Sequence, residues 1–314
     1  MRVDFTLDDT RITLREVAAE VFRDAPSAAW PTLVTADMDV LSAMVVLTEA
    51  GRAATSLPGL ALGVLPLARH GIEVPDGARV TAALHEPSDP MTSRPRTRAA
   101  GGVINGVKIG VPDAVGAHRI LVPVSTDEGS AVALVDPASP GVTLNPAPTS
   151  SGFPEFSLHL VDAPYERTFD GLADLHRLAL AGACATADGL LAAALELTRK
   201  HVATREQFGR PLAAFQAVAQ QIADIYISAR TLHLATWSAC WRLAEGLDAE
   251  SDVDIAAHWL AEELLPAIRT CHHLHGGLGL DVTYPLHRYY SLAKDLVRSI
   301  GGARHRLEAL CTSN

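Results

Sequence analysis

The spacing of apolar residues changes twice along this chain. Over residues 6–70, Ala- and Leu-rich segments are interrupted by prolines, a pattern that predicts short helices joined by turns. From Arg79 the apolar residues are β-branched and stand in short runs between turn dipeptides, which is typical of strands. After Pro164 the spacing of apolar residues is again typical of helices. The order predicts an N-terminal helical domain (residues 1–78), a middle β domain (residues 79–163) and a C-terminal helical domain (residues 164–314).

The C-terminal part carries one long apolar seam. Its members follow one another at alternating steps of three and four residues, which places them on one face of a helix. Such a seam predicts a long helix packed in a bundle. Its members are Phe215, Val218, Ile222, Ile225, Ala229 and Leu232.

The strongest local turn pattern in the β region is Asn105-Gly106, between the runs GGVI and VKIGV. A two-residue type I′ turn requires a positive φ at both central residues, and Asn-Gly satisfies that requirement. The pattern predicts a hairpin whose turn is Asn105-Gly106.

Charge excludes some classes of partner. The chain has 26 Lys and Arg against 36 Asp and Glu, a formal charge of -10, and no long basic block. This balance is unfavourable for binding nucleic acid or an anionic membrane surface, so neither is expected as a partner.

The most apolar long stretch, residues 178–197, is interrupted by Thr186, Asp188 and Glu196. It predicts a helix buried among other helices rather than a membrane span. The four cysteines form no CxxC pair, and the N-terminus lacks a basic segment followed by an apolar one. Both observations predict a protein of the reducing cytoplasm.

A break at Gly209-Arg210-Pro211 separates two helical patterns. The pattern predicts that one helix ends at Gly209 and that the next begins at Pro211. Arg205 and Phe208 would then lie about one turn apart, near Gln216 of the second helix. Either the three side chains converge on a ligand, or they are a solvent-facing Arg, a core Phe and a surface Gln.

A second stretch, residues 271–290, reads CHHLHGGLGLDVTYPLHRYY. Cys271 and His275 lie one helical turn apart, a spacing that also suits a zinc site. In the alternative interpretation, a helix ends at Gly276, Gly277 and Gly279.

Together these stretches resemble the acyl-CoA dehydrogenase family. The first is similar to its R-x-x-F-G-x-P-x-x-x-F-Q motif, and the second to its Q-x-x-G-G-x-G…P…R segment, with His273 in the place of Gln. GGVINGVKI is similar to its β-domain hairpin. The resemblance covers most of the chain and is strongest from Arg79 onward. It implies an α+β fold with a shortened N-terminal helical domain, a middle β-barrel or sandwich domain and a C-terminal four-helix bundle.

The resemblance also implies the chemistry. Members use FAD to oxidise an acyl-CoA thioester to its α,β-unsaturated product, with a Glu as base. The two positions at which the family places that Glu hold Ile300 and His176 here. Gly110 and Pro112 replace the family's flavin-facing Trp and Thr. The T-E-P-x-x-G-S-D loop reads HEPSDP, residues 85–90.

The residues that still match the family are those with which one subunit of these enzymes contacts the FAD of its neighbour. The resemblance implies that these residues contact the adenine and pyrophosphate of a partner's FAD: Arg205, Phe208, Gln216, His273, Gly276, Gly277 and Gly279. We therefore expect a non-catalytic subunit that shares FAD with a full-length acyl-CoA dehydrogenase subunit in an α2β2 complex. The expected substrate is an acyl-CoA, of the kind formed in bacterial steroid catabolism.

Two alternatives remain open at this point. The chain may be read as a self-sufficient dehydrogenase with His176, or a Glu elsewhere, as its base, since the pKa of a histidine suits proton transfer. It may also be read as a flavin-free scaffold or a CoA-binding regulator.

Overall fold

The N-terminal part of the chain is helical, as predicted. The computed structural model describes residues 6–35 and 37–312. Asp8 and Asp39 cap two of the first helices, because their carboxylates accept hydrogen bonds from the backbone N–H groups of Arg11 (2.8 Å) and Ser42 (3.0 Å). The helical segments are α1 (Asp9–Asp24), α2 (Ala29–Leu33), α3 (Val40–Arg52), and a π-helical turn (Leu60–Val64) that continues into α4 (Leu65–Arg69).

The middle part forms one mixed sheet. Its order is β6-β7-β3-β2-β4-β5-β8, with β1 also paired to β4. The last strand lies after the predicted boundary at residue 163, so the sheet extends to Phe169. The strands are β1 (Val80–Ala82), β2 (Arg98–Ala100), β3 (Val103–Pro112), β4 (Arg119–Ser125), β5 (Ser130–Val135), β6 (Val142–Ala147), β7 (Glu155–Pro164) and β8 (Arg167–Phe169).

The prediction of a hairpin turn at Asn105-Gly106 is wrong. The β2–β3 turn is Gly101-Gly102, with φ of 60° and 84°, and both later residues lie inside β3. Two glycines adopt the positive φ values that a type I′ turn requires as readily as Asn-Gly does. The Asn105 side chain instead bonds to β7, since its Nδ2 donates to Asp162 Oδ1 and its Oδ1 accepts from the Asp162 N–H, both at 2.9 Å.

The C-terminal part is a helical bundle. The predicted seam is confirmed on α6 for five of its six members, since Ile225 and Leu232 are buried and Val218, Ile222 and Ala229 pack against the core. The sixth, Phe215, has an extended backbone and precedes the helix. The helices are α5 (Leu172–Thr204), α6 (Gln216–Ala244), α7 (Glu250–His275), α8 (Leu286–Ser299) and α9 (Gly302–Thr312); a short β9 (Glu206–Gln207) and β10 (Arg210–Pro211) lie between α5 and α6.

Helix α5 is the one helix of the described residues that is long and apolar enough to cross a membrane. Its most apolar window is 83% buried within the fold. The burial supports the prediction that residues 178–197 form a core helix.

The helices that precede the sheet in the chain and those that follow it share one hydrophobic core. Strand residues form most of a second, smaller core. Glycines let α3 and α5 cross with their backbones almost in contact. A Cβ at Gly51 would overlap the carbonyl of Thr186, and a Cβ at Gly189 would overlap the carbonyl of Thr48. The N-terminal helices are therefore packed as part of the same body as the bundle.

Candidate functional site

The chain leaves the bundle at the first motif. Helix α5 ends at Thr204, and Arg210 pairs with Gln207 in a two-residue β-hairpin. Its turn residues, Phe208 and Gly209, have φ of 53° and 75°. The prediction that one helix ends at Gly209 and the next starts at Pro211 is thus wrong, because successive positive φ values cannot belong to a helix. Helix α6 begins at Gln216.

Phe208 is 93% exposed at the tip of this hairpin, so the interpretation of a core Phe is also wrong. Arg205 and Gln216 are exposed as well. The ring of Phe208 meets Phe215 edge-on at 6.3 Å, and the guanidinium of Arg210 lies 4.0 Å from the Phe215 ring centroid. A bulky residue with a positive φ is a conformational outlier that costs on the order of 1 kcal/mol or more. The fold therefore holds a large apolar ring toward solvent at a local cost.

The second motif forms an open glycine turn at the end of α7. Gly276 has φ 57° and ψ -136°, a combination open to glycine. Gly276 and Gly277 are exposed, and a Cβ at either would meet nothing within 4 Å. Gly279 is buried, because a Cβ there would lie 2.9 Å from the carbonyl of His272. The turn is exposed at its first two glycines, although the N–H of Gly276 donates to the carbonyl of His273.

The two motifs meet at one end of the bundle. The rings of His201 and His275 stack with centroids 4.4 Å apart and planes inclined by 19°. Arg205 follows His201 by one turn, and both burial and its charge lower the pKa of His201. His275 donates from Nδ1 to the carbonyl of Cys271 (2.8 Å), and its Nε2 bonds to the Tyr284 hydroxyl (3.1 Å). Sequence reasoning missed His201, which its i, i+4 relation to Arg205 could have singled out.

Two histidines of this region, His272 and His275, donate from Nδ1 to backbone carbonyls. His275 uses the carbonyl of Cys271, whose thiol is buried with a pKa raised to about 11. Within residues 6–35 and 37–312, no three His, Cys, Asp or Glu side chains are grouped to hold a metal ion. His273, the residue in the Gln position, is exposed on the same helix end.

A cavity of about 370 Å³ lies where the N-terminal helices, the sheet, α5 and α8 meet. Its wall includes Gly110, Pro112 and Ile300, three residues that are far apart in the sequence. The structure thus brings together the positions that the resemblance assigns to the flavin ring and to the catalytic Glu. None of the three side chains can exchange a proton.

Three carboxylates also reach the wall, and two are fully engaged. Glu155 receives two hydrogen bonds from Arg298 (2.9 and 2.6 Å), and Asp295 accepts the N–H groups of Ser150 (3.0 Å) and Ser151 (2.8 Å). Asp113, missed in the sequence, has φ 50°, and burial raises its pKa.

The proposed base His176 lies outside the residues that line this cavity. It is half-buried, and its Nε2 has no hydrogen-bond partner. Burial, and then the charge of His85, lower the pKa of His176 to about 4. Its role as a base stays a prediction, without a place on the cavity wall.

The HEPSDP loop owes its position to a buried ion pair. Lys108 and Glu86 have side chains 0% and 2% exposed, and Lys108 Nζ lies 2.9 Å from Glu86 Oε1. Thr97 donates to the same oxygen from its N–H (2.8 Å) and Oγ1 (2.6 Å), and the Arg96 N–H donates to Oε2 (2.8 Å). Hydrogen bonds outweigh the effect of burial and hold the pKa of Glu86 at about 2. Glu86 and Lys108, which lie in two segments that resemble family motifs, therefore serve to stabilise the fold in this chain.

The structure thus places a sheet between two helical parts of the chain, with a largely apolar cavity at their junction. The family model for the acyl-CoA dehydrogenase C-terminal domain matches residues 174–304. The acyl-CoA dehydrogenase FadE28 of Mycobacterium tuberculosis is 45% identical over 282 residues, which cover 84% of this chain and 82% of that protein. The chain belongs to the acyl-CoA dehydrogenase family, a family of FAD-dependent oxidoreductases. The fold and family expected from the motifs are confirmed.

Solved structures show the same fold. A chain of the ChsE4-ChsE5 complex from Mycobacterium tuberculosis is 27% identical, with a TM-score of 0.87 and coverage of 98% of each chain. A chain of a variant of the Tcur3481-Tcur3483 steroid ACAD gives the same identity, TM-score and coverage.

Proposed function

We propose that this chain is the non-catalytic subunit of a heteromeric acyl-CoA dehydrogenase that desaturates a steroid-derived CoA thioester. Its partner is a full-length subunit in an α2β2 complex in the cytoplasm. Similarity to chains of the ChsE4-ChsE5 complex and of the Tcur3481-Tcur3483 steroid ACAD supports this proposal. The chain's own residues support it further.

The observation that carries the proposal is that an exposed Phe208 and an open glycine turn belong to two segments that meet where His201 stacks on His275. Arg205 offers a guanidinium fork that matches phosphate oxygens, and the exposed turn at Gly276 and Gly277 has no side chain that would keep the same anion away from the backbone. The Phe208 ring offers a face for an aromatic group. FAD supplies the hydride acceptor of the reaction when it is bound. These residues fit its adenine and pyrophosphate, with Gln216, His273 and Gly279 at the edge of the same site.

The catalytic half of the site belongs to the partner in this proposal. Removing a proton from the α-carbon of a thioester requires a positioned base and a polarised carbonyl. Ile300 cannot accept a proton, Glu155 and Asp295 are already hydrogen-bonded, and Asp113 stands at neither of the two positions at which the family places its base. The partner would therefore provide the Glu and the flavin-ring contacts, while this chain provides binding.

The test is FAD release from the purified complex carrying Arg205→Ala. Loss of one charge-assisted contact of about 1.5–3 kcal/mol weakens FAD retention roughly tenfold to more than a hundredfold. Phe208→Ala and Gln216→Ala act in the same direction but less strongly. Arg94→Ala, an exposed arginine of the β domain, is the matched control and leaves retention unchanged. Unchanged FAD retention in an intact Arg205→Ala complex would contradict the proposal.

A flavin count separates the alternatives. We expect one FAD per two chains in the co-purified complex and little FAD on this chain alone. Stoichiometric, substrate-reducible flavin on the lone chain would instead identify a self-sufficient dehydrogenase. A partner whose FAD content is the same with and without this chain would identify a scaffold or regulator.

A further inference from the structure

Two imidazole rings join the segments that carry the two motifs. His201 lies near the end of α5, one turn before Arg205, and its ring stacks on that of His275, the last residue of α7. We infer that this histidine pair is a pH-sensitive contact, which holds residues 276–285 against the bundle while the rings are neutral and releases them as the rings become protonated. The consequence for FAD rests on the proposed function, whereas the opening of the segment does not.

Histidine side chains fasten residues 276–285 at several points. The Nε2 atom of His275 lies 3.1 Å from the Tyr284 hydroxyl, and the two ring centroids are 5.2 Å apart. His272 donates from Nδ1 to the carbonyl of Gly279 (2.9 Å), and His287 donates from Nδ1 to the carbonyl of Tyr284 (2.7 Å). The stack of His201 on His275 therefore continues, through Tyr284, into the segment itself.

Little buried apolar surface holds the same segment in place. Leu280 and Val282 are 82% and 79% exposed, and Gly276 and Gly277 are exposed as well. A segment with few buried apolar contacts opens at a small cost in free energy, without unfolding of the whole chain. The contacts of the histidines therefore decide whether the segment is open or closed.

The hydrogen bonds of His275 are those of a neutral imidazole. Its Nδ1 donates to the carbonyl of Cys271, which leaves Nε2 to accept from the Tyr284 hydroxyl. The residue is 4% exposed, so a proton added at Nε2 would bring a charge into a buried site and displace the hydroxyl proton. Protonation of His275 thus disrupts the contact that ties the segment to α7.

The groups around the pair also disfavour two adjacent positive charges. Burial, and then the charge of Arg205, lower the pKa of His201. Burial lowers the pKa of His275 more than its bond to the Cys271 carbonyl raises it, and the charges of His201 and His272 lower it further. The titratable and charged groups that face the pair among the described residues include no carboxylate; they are Arg205 on α5, Cys271 and His272 on α7, and Tyr284.

The direction of the pH effect follows from these lowered pKa values. Released imidazoles have a pKa of about 6.5, so the closed form is favoured above that pH and the open form gains as the pH falls below it. If the closed pair still accepts one proton, the opening equilibrium rises about sixfold between pH 7.5 and 5.5. If the closed pair accepts none, the rise is about a hundredfold.

The experiment is amide hydrogen exchange, read by mass spectrometry, on the purified full-length chain without FAD. Protection factors of residues 276–285 at pH 7.5 and 5.5 give the opening equilibrium, which we expect to rise about sixfold to a hundredfold. His201→Phe keeps a ring in the stack and removes the titrating nitrogens, so the segment stays closed at pH 7.5 and the rise falls below about twofold. His201→Ala removes the ring and opens the segment at both pH values. His159→Phe, at an exposed histidine of β7, is the matched control and keeps the full response.

Circular dichroism verifies that each variant is folded, and His201→Tyr replaces His201→Phe if the latter unfolds. The inference is overturned if protection of residues 276–285 is the same at both pH values, or if the ring variant responds to pH as the unmodified chain does. It is also overturned if β4 and β5 lose protection to the same extent, because the whole chain would then be unfolding. In the complex, FAD leaves faster at pH 5.5 than at pH 7.5 if the proposed function is correct. Opening that depends on pH, with FAD release that does not, would contradict the proposed function and leave this inference standing.

Discussion

Replacing Lys108 with Met tests the inference that the Lys108–Glu86 ion pair stabilises the fold. The substitution keeps the length and apolar stem of the side chain and removes the ammonium that lies 2.9 Å from Glu86 Oε1. A buried carboxylate then remains with the donors of Thr97 and Arg96 alone. We expect a loss of stability, because the pair is almost completely excluded from water.

Removing one partner of a buried ion pair costs about 3–5 kcal/mol. Burial raises the pKa of Glu86, but the hydrogen bonds from Thr97, Lys108 and Arg96 together lower it to about 2, so the folded state favours the ionised carboxylate and Lys108 supplies part of that preference. Because the donors of Thr97 and Arg96 remain, we expect Lys108→Met to cost about 3 kcal/mol.

The assay is a double-mutant cycle of urea unfolding, followed by circular dichroism at pH 7. Glu86→Gln leaves the ammonium of Lys108 buried without an anion, and it is also strongly destabilising. The double variant loses about 2–3 kcal/mol less than the sum of the single variants, since neither charge is then left alone. Lys200→Met is the control: its partner Glu196 lies 3.4 Å away with side chains 73% and 42% exposed, so the cost stays below about 1 kcal/mol.

The change in stability with pH provides an independent test of the same ion pair. The folded pKa of Glu86 is below its unfolded value, so its stabilisation is complete above pH 4.5 and is lost as the pH falls from 4.5 toward 2. The Lys108→Met variant should lose less stability over that interval than the unmodified chain. The reasoning is refuted if Lys108→Met costs no more than Lys200→Met, or if the two single effects simply add.

Two further predictions concern the proposed base and the helix crossing. If the partner supplies the base, His176→Ala in the complex changes turnover by a small factor, whereas loss of a true general base costs on the order of a hundredfold or more; steady-state kinetics distinguish the two, and a hundredfold loss would make this chain catalytic. Gly189→Ala overpacks the α3–α5 crossing and lowers the free energy of unfolding by about 1–3 kcal/mol. Gly277→Ala, with open space around it, leaves that free energy nearly unchanged, so equal effects in the two variants would contradict the crossing geometry.

Periodicity predicted what depends on repeating local contacts. The apolar seam of α6 and the burial of residues 178–197 follow from spacing alone, since a helix presents every third or fourth residue to its neighbours. The order of helical, β and helical parts was predictable for the same reason, because each part has its own spacing.

The choice between two neighbouring turn sequences could not be predicted from either sequence by itself. Asn105-Gly106 and Gly101-Gly102 both satisfy a type I′ turn, and the choice was made by the bonds between Asn105 and Asp162, 57 positions apart. The hairpin at Phe208-Gly209 was missed because an aromatic residue seldom adopts a positive φ.

Long-range convergence also lay beyond the sequence. The stacking of His201 on His275 and the pairing of Glu86 with Lys108 join residues of different elements. The cavity is enclosed by elements from Pro26 to Ile300. The motifs drew attention to residues that lie at one end of the bundle, and their role in FAD binding stays a prediction. Spacing alone gave no sign of the cavity, because its walls come from elements far apart in the sequence.

The shared core of the first and last helices sets the order in which the nascent chain can mature. Helix α3 packs on α5, and residues of α8 complete the same core, so the first 70 residues leave the ribosome long before their packing surfaces exist. The sheet, with its own smaller core, can assemble in the interval. A fragment that stops before α5 would leave its apolar helices uncovered. Synthesis must therefore run through α8 before the amino-terminal helices acquire their final neighbours.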